Sequence, residues 1–173
     1  MLIQMQRAFG LSFLRKVLLG EIKMANIKHQ LEWPAIIQAG RRNGLSDEQI
    51  VFLLAMREAE NGPAGYEFGS KEVRGTNLDK QAGSAAASIK KNEKRYQQYI
   101  TTGQYNRAVL TPKQEPMDFS EFMGYYGGPY GNGWAPVIDK NGKDTPLNKN
   151  WANNVRFYVD EVNKAFSQKG IGK

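Results

Sequence analysis

The chain contains no cysteine and a single histidine, His29, in 173 residues. The absence of cysteine excludes disulfide bonds and thiolate metal sites. One histidine excludes a multi-histidine metal site and a Ser-His triad assembled deeper in the chain. The sequence also lacks a Walker phosphate loop, a zinc signature and a dinucleotide fingerprint. We therefore expect neither a cofactor nor a metal, and we expect His29 to be a solvated or half-buried residue.

Acidic residues are fewer than basic ones, and long apolar runs are missing. Seventeen Asp and Glu against 24 Lys and Arg give a formal net charge of +7. This charge suits an acidic polymer, such as nucleic acid, an anionic membrane or an anionic cell wall, although it also suits general solubility. No stretch approaches the roughly 20 apolar residues that span a bilayer. With 40% hydrophobic residues, the length fits one globular domain.

The first 24 residues are basic and loosely amphipathic. Arg15 and Lys16 interrupt the apolar pattern, so this segment is a poor signal-peptide core. It is consistent with contact at a membrane surface. It is equally consistent with an upstream extension, and we favour this because domain-like patterning begins only after Met24. We expect an extension over 1–24 and one domain over 25–173.

The strongest local pattern is the apolar run 50–56, which predicts a buried helix. Ser46 and Gln49 form a capping-box pattern before it, so the helix is predicted to span Asp47–Glu60. The remaining patterns predict a helix entered at Trp33-Pro34 and ended at Asn43-Gly44, an amphipathic helix from Leu78 to about Tyr99, a short helix after Asp118 and a last helix from about Asn150. A small hairpin fits around Tyr66–Val73 or at Asn141-Gly142. The fold class is mainly α, with five or six helices and a minor hairpin.

Glu60 ends the buried helix and is the best candidate for a functional acid. A carboxylate there faces the negative end of the helix dipole beside a dry core, and both effects raise its pKa. A protonated carboxylic acid is what cleavage of a glycosidic bond requires. Glu58, two residues earlier, must point in a different direction. We expect it to pair with Arg57 or a more distant base, and both acids could instead be ordinary helix-end carboxylates.

Two further segments are candidates for sugar binding. In Gly65–Gly69, Glu67 is a possible second carboxylate between Tyr66 and Phe68, although the same residues could form a packed turn with Phe68 in the core. A glycine-rich loop over 124–134 carries four aromatic residues that could stack on sugars or bases, or simply belong to the core: Tyr125, Tyr126, Tyr130 and Trp134. The amphipathic helix ends in a basic set, Lys90, Lys91, Lys94 and Arg95.

The segment Glu60-Asn61-Gly62 resembles the lysozyme-like superfamily, especially the phage and bacterial lytic transglycosylases that cut peptidoglycan. In that family a buried helix ends in Glu, followed by Ser or Thr and then Gly. The run from Arg57 through Gly69 looks like the variant found in phage virion- and tail-associated hydrolases. Residues 65–69 stand where the family has a glycine, an apolar residue and a glutamine, so Glu67 departs from that pattern. Segments 125–129 and 147–155 resemble later family blocks more loosely, and the resemblance covers about residues 30–166.

The resemblance implies an α+β lysozyme-like domain that cleaves the β-1,4 bond between N-acetylmuramic acid and N-acetylglucosamine. Glu60 would be the general acid and base of a lytic transglycosylase. The alternatives are a hydrolytic muramidase using Glu60 with Glu67, an inert wall-binding or virion protein of the same fold, and a basic nucleic-acid-binding module. Tyr66, Phe68, Gly69 and the four aromatics of 124–134 are the expected substrate contacts.

The expected partner is a peptidoglycan glycan strand rather than nucleic acid. Membrane-surface contact is expected only through residues 1–24. We expect a monomer, with assembly into a virion as a further option. The expected location is a phage virion or the host periplasm and cell wall, reached without an obvious signal peptide.

Overall fold

A computed structural model of the chain describes residues 27–105, 108–109, 116–126 and 147–167. These residues are mainly helical. The five α-helices among them are α1 (Trp33–Arg42), α2 (Asp47–Glu60), α3 (Leu78–Thr102), α4 (Phe119–Tyr126) and α5 (Leu147–Ser167). Two 3-10 helices cover Gln30–Glu32 and Lys71–Val73. The predicted extension over 1–24 and the predicted turn at Asn141-Gly142 lie outside the described residues.

Helix α2 has the predicted bounds because both of its ends are encoded locally. The Ser46 side chain accepts a hydrogen bond from the Gln49 backbone, and the Gln49 side chain accepts one from the Ser46 backbone, which confirms the capping box. The helix ends at Asn61, whose left-handed conformation (φ 47°) is one that asparagine tolerates. Leu53, Leu54 and the other core residues between these ends make α2 the central helix.

Helices α1 and α3 pack against each other. Alanines at 82, 85 and 86 of α3 are buried, and their small side chains allow the helices to approach closely. Helix α1 is followed by Gly44 in the left-handed region (φ 70°). The Lys90 ammonium donates hydrogen bonds to the carbonyls of Asn43 and Gly44, which ties the turn after α1 to α3.

Helices α4 and α5 cover another side of α2. The Asp118 side chain accepts a hydrogen bond from the Glu121 backbone at 2.9 Å, which confirms the predicted start of α4. Phe119 packs on Phe52 of α2, with ring centroids 5.0 Å apart. Arg156 of α5 forms ion pairs with Asp118 and Glu121. Helix α5 begins at Leu147, three residues before the predicted start.

Among the described residues, a short hairpin forms at a position where none was predicted. Strands β1 (Gln104–Tyr105) and β2 (Ala108–Val109) pair antiparallel. The strand predicted around Tyr66–Val73 was wrong, because this segment folds into successive turns and a 3-10 helix. Gly65 and Gly69 take positive φ angles there, which interrupts extended backbone.

None of the described helices has the length and apolar character needed to cross a membrane.

Candidate active site

Glu60 is half-buried at the last residue of α2, and its carboxyl group reaches α5. The indole nitrogen of Trp151 donates a hydrogen bond to Glu60 Oε1 at 2.6 Å. Burial raises the pKa of Glu60, and the hydrogen bond from Trp151 offsets part of this rise. The direction of the pKa shift is the one expected from the sequence. The group that contacts the acid, however, lies 91 residues away in the chain.

Gly69 lies against the other oxygen of the same carboxyl group. A Cβ atom added at Gly69 would stand 2.6 Å from Glu60 Oε2 and 3.2 Å from its carboxyl carbon. Gly69 also has φ 66°, a conformation that side chains other than glycine rarely adopt. Gly69 was expected to contact substrate directly. That contact stays a prediction. In the structure, Gly69 lies beside the carboxyl group of Glu60, where a larger residue would not fit.

The loop that brings Gly69 to Glu60 is folded by its own backbone. A Cβ atom at Gly62 would collide with the carbonyl oxygen of Tyr66, so the chain can double back only with glycine there. Two successive turns follow, closed by hydrogen bonds from Tyr66 N to Pro63 O at 2.8 Å and from Gly69 N to Tyr66 O at 3.1 Å. The fully buried Gln81 of α3 donates to the carbonyl of Gly65 and so fixes the loop to the core.

Glu58 is 2% exposed and has a structural environment. Its carboxylate accepts hydrogen bonds from the backbone of Lys28 and His29 and, at 3.3 Å, from the indole of Trp33. It therefore holds the segment that leads into α1. The expected pairing of Glu58 with Arg57 was wrong. Consecutive residues of a helix point about 100° apart, and Arg57 is directed to Glu32 instead.

Arg57 is a buried centre of contacts under the site loop. Its guanidinium forms a two-point contact with Glu32, at 2.6 and 3.0 Å, and donates to the backbone carbonyl of Glu67 at 3.4 Å. It also contacts His29 Nδ1 at 3.0 Å. Because a guanidinium only donates, Nδ1 accepts, and the other ring nitrogen is the donor to Asn61 Oδ1 at 2.9 Å. Half-buried His29 thus joins Arg57 to the residue that follows Glu60.

The other predicted residues of the loop have different positions. Phe68 is 6% exposed and belongs to the hydrophobic core, so its ring does not face a sugar. Glu67 is 5% exposed, and its Oε2 has no hydrogen-bond partner among the residues that the structure describes. Tyr66 is half-buried, with the Arg74 guanidinium 5.3 Å from its ring centre. The loop therefore presents Tyr66 and Gly69 more openly than Glu67 and Phe68.

The predicted aromatic loop begins in a helix. Tyr125 and Tyr126 are the last two residues of α4. Tyr130 and Trp134 lie outside the described residues, so their predicted sugar contacts stay predictions.

Two grooves formed by described residues lie away from Glu60. One, of about 400 Å³, lies where α2, α4 and α5 meet and includes Phe52, Phe119 and Arg156. The other, of about 380 Å³, is lined by Asn43 and Ala87 together with three lysines of α3. Neither includes Glu60, so a sugar-sized groove at the acid stays a prediction.

No group of three or more histidine, aspartate or glutamate side chains in the described ranges is placed to hold a metal ion.

Sequence reasoning identified Glu60 but missed the contacts of Trp151, Arg57 and Glu58. The sequence analysis did not predict the contact of Trp151 with Glu60, although a buried indole N–H group usually finds a hydrogen-bond partner. The contacts of Arg57 and the deep burial of Glu58 depend on residues 28–33, which are remote in sequence.

Comparisons of the chain with protein families, with characterised proteins and with solved structures found no match.

Proposed function

We propose that this chain is a peptidoglycan-cleaving glycosidase of the lytic transglycosylase type, with Glu60 as its general acid and base. The observation that carries the proposal is the half-buried carboxyl group of Glu60, whose pKa burial raises. Such a group retains its proton to higher pH than a solvated carboxylate, so it can protonate a leaving glycosidic oxygen. The position of this acid at the end of an apolar helix, followed by Asn61-Gly62, fits the resemblance on which the substrate class rests.

The proposed reaction uses the same carboxyl group twice. Glu60 first donates its proton to the oxygen that links N-acetylmuramic acid to N-acetylglucosamine, and the bond from that oxygen to the anomeric carbon breaks. The Glu60 carboxylate then accepts the proton of the muramic 6-hydroxyl as that oxygen attacks the same carbon. The products are a shortened glycan and a 1,6-anhydro end, and the acid is restored without water.

The environment of Glu67 favours the transglycosylase over a hydrolytic muramidase. A hydrolase needs a second carboxylate that reaches the sugar as a nucleophile or activates water. Glu67 is 5% exposed, and its backbone carbonyl is held by Arg57 beneath the loop. An intramolecular attack by the 6-hydroxyl does not need this second group.

Digestion of purified peptidoglycan, with mass spectrometry of the released fragments, tests the proposal. We expect 1,6-anhydromuramic ends from the wild-type chain. Reducing muramic ends would identify a muramidase, and reducing glucosamine ends a glucosaminidase; either would refute the transglycosylase chemistry. Release of no fragments would favour an inert wall-binding or virion protein.

Glu60→Gln is the decisive variant because it keeps the shape of the side chain and removes its acidic proton. We expect fragment release to fall at least about 100-fold, as for loss of a general acid. Glu72→Gln is the control, since Glu72 is an exposed carboxylate in the same loop region. Equal activity of both variants would refute the role of Glu60.

The second candidate function is binding to nucleic acid, and the lysine-lined groove is the observation that favours it. Lys90, Lys91 and Lys94 are exposed and line the groove of about 380 Å³, whose described lining contains no acidic residue. Phosphate groups bind such clusters with an affinity that falls as salt rises.

Changing Lys91 and Lys94 to Gln tests this candidate without touching Lys90, which holds the α1 turn. The control changes Lys71 and Lys80, both exposed, in the same way. A loss of DNA binding confined to the first pair, with no fragment release by the wild type, would favour the nucleic-acid function over the glycosidase.

A further inference from the structure

The two oxygens of the Glu60 carboxyl group lie in different surroundings. Oε1 accepts the hydrogen bond from Trp151. Oε2 lies beside Gly69, at the position where a Cβ atom would come within 2.6 Å. In the described ranges, Oε2 receives no hydrogen bond. The site therefore distinguishes two atoms that are equivalent in a free carboxylate.

Trp151 determines which oxygen can carry the proton. An indole N–H group only donates, so the oxygen that it contacts must accept. In a neutral carboxylic acid the carbonyl oxygen is the stronger acceptor, and the hydroxyl is the other oxygen. With Trp151 Nε1 2.6 Å from Oε1, the hydrogen bond favours the proton of neutral Glu60 on Oε2. Trp151 is partly buried against the core, so the position of its ring is constrained by packing.

Gly69 keeps the space beside Oε2 free of protein side chain. Gly69 itself is half-buried, in a loop fixed to the core through Gln81 and Gly65. Any larger residue would place its Cβ atom against Oε2 and the carboxyl carbon, so the carboxyl group would have to shift from where Trp151 holds it. The protein thus holds one oxygen with a hydrogen bond and places only a glycine against the other.

We propose that Trp151 is a positioning residue that makes Oε2, beside Gly69, the oxygen of Glu60 that exchanges a proton with the substrate. This inference rests on the proposed glycosidase function. The leaving glycosidic oxygen approaches Oε2 and takes its proton, and the electron pair of the breaking carbon–oxygen bond remains on that oxygen. The attacking 6-hydroxyl later returns a proton to Oε2. Oε1 accepts the indole hydrogen bond throughout.

The same hydrogen bond tunes the acid. Burial raises the pKa of Glu60, and donation by Trp151 lowers it because the bond is stronger to the charged form. Removal of the donor should therefore raise the pKa further. A residue with only a packing role would not alter the pKa through a hydrogen bond, so titration separates positioning from packing.

Trp151→Phe removes the indole donor and keeps an aromatic ring. We expect the alkaline limb of the pH–rate profile to move to higher pH and the maximal rate to fall about tenfold, as for loss of one hydrogen bond to a charged group. Trp33→Phe is the control, because Trp33 donates in the same way to Glu58 on the same helix. That variant should keep the wild-type alkaline limb even where its stability is reduced.

Titration by ¹³C NMR of labelled glutamate provides a readout that is independent of activity. The Glu60 carboxyl signal is assigned by its disappearance in Glu60→Gln. We expect its pKa to be higher in Trp151→Phe than in the wild type and unchanged in Trp33→Phe. An unchanged Glu60 pKa in Trp151→Phe would overturn the inference, whether or not the chain cleaves peptidoglycan.

Gly69→Ala tests the reacting oxygen directly. Its control is Gly75→Ala, since Gly75 also has a positive φ (79°) but would have no atom within 4 Å of an added Cβ. Both variants impose left-handed strain, and only the first crowds Oε2. We expect fragment release by Gly69→Ala to be at least about 100-fold below that of Gly75→Ala.

Similar activities of the two alanine variants would overturn the assignment of Oε2. If Trp151→Phe does not fold, this glycine pair decides the question. Failure of the glycosidase function would be recognised by a different result. Glu60→Gln would then release the same amount of peptidoglycan fragments as the wild type. The Glu60 titration would still report on Trp151.

Discussion

Glu58 and Glu60 lie two residues apart on α2, yet their surroundings differ in burial, in the number of hydrogen-bond donors and in the residues that contact them. Glu58 is 2% exposed and accepts hydrogen bonds from two backbone amides and an indole. Glu60 is half-buried, with one indole donor on one oxygen and a glycine beside the other. The first carboxylate holds chain segments together, whereas the second keeps one oxygen that receives no hydrogen bond from the residues that the structure describes.

Under the proposed function, burial alone does not distinguish the catalytic acid from a structural carboxylate. Glu58 is the more buried residue, but its donors make it a structural link between α2 and residues 28–33. Glu60 is less buried and is the group whose pKa burial raises. Among the described residues, the number of hydrogen-bond donors distinguishes the two surroundings, with three groups donating to Glu58 and one to Glu60.

The largest effect on stability is expected from Glu58→Gln. The amide cannot accept hydrogen bonds at both positions, so it sets an NH₂ group against buried donors and should cost about 3 kcal/mol of unfolding free energy. Urea denaturation measures the loss. Glu72→Gln, at an exposed position, should change the unfolding free energy by less than about 0.5 kcal/mol. If Glu58→Gln costs as little unfolding free energy as Glu72→Gln, the hydrogen bonds of Glu58 are not structural. The contrast between Glu58 and Glu60 would then be lost.

Arg57→Lys should have the next largest effect, about 1–2 kcal/mol. Lysine keeps the charge but cannot match the two-point contact with Glu32 together with the bonds to Glu67 and His29. Thermal unfolding measures the effect, and Arg41→Lys at an exposed position is the control. Equal unfolding temperatures for the two variants would show that the guanidinium geometry contributes little.

Glu60→Gln should have a smaller effect on stability, with a definite pH dependence. Because burial raises the pKa of Glu60 in the folded chain above its ordinary value of 4.5, the folded state favours the protonated form. This contribution is complete below pH 4.5 and is lost as pH rises through the folded pKa. The variant should therefore gain stability relative to the wild type from pH 4 to pH 8, measured by thermal unfolding. A constant or falling difference would contradict the raised pKa.

The smallest effect is expected at a surface carboxylate. Asp79 forms an ion pair with Arg42 in which both side chains are more than half exposed. Asp79→Asn should change the unfolding free energy by no more than about 0.5 kcal/mol, because solvent screens such pairs. Urea denaturation at low and high salt measures it. A cost near that of Glu58→Gln would show that hydrogen-bonded burial is not what separates the two classes of carboxylate.

The sequence predicted α2 to the residue because its signals are local. Ser46 and Gln49 cap one end, the apolar run supplies the core, and Glu60 stands before a residue that ends the helix. The raised pKa of Glu60 followed from the same local reasoning. Features that depend on remote pairing were not predictable in this way. Trp151 meets Glu60 across 91 residues, and the partners of Glu58 come from a segment about 30 residues earlier.

The errors in the loop also have a physical cause. Residues 66–73 include Tyr66, Phe68 and Val73, which are residue types common in strands, but their polar and apolar side chains do not alternate beyond Phe68. The glycines on either side of Phe68 instead permit tight turns, and burial of Phe68 in the core stabilises them. The short hairpin formed instead at Gln104–Tyr105 and Ala108–Val109, after α3 ended at Gly103 in the left-handed conformation.

The contact between Glu60 and Trp151 joins an early helix to the last helix described, and this order has a consequence during synthesis. A chain growing from its N-terminus completes α2 and the loop long before the ribosome releases α5. Until α5 docks, Glu60 lacks the indole hydrogen bond to its Oε1. Under the proposed function, the two oxygens of the acid are therefore distinguished only after translation has passed Trp151.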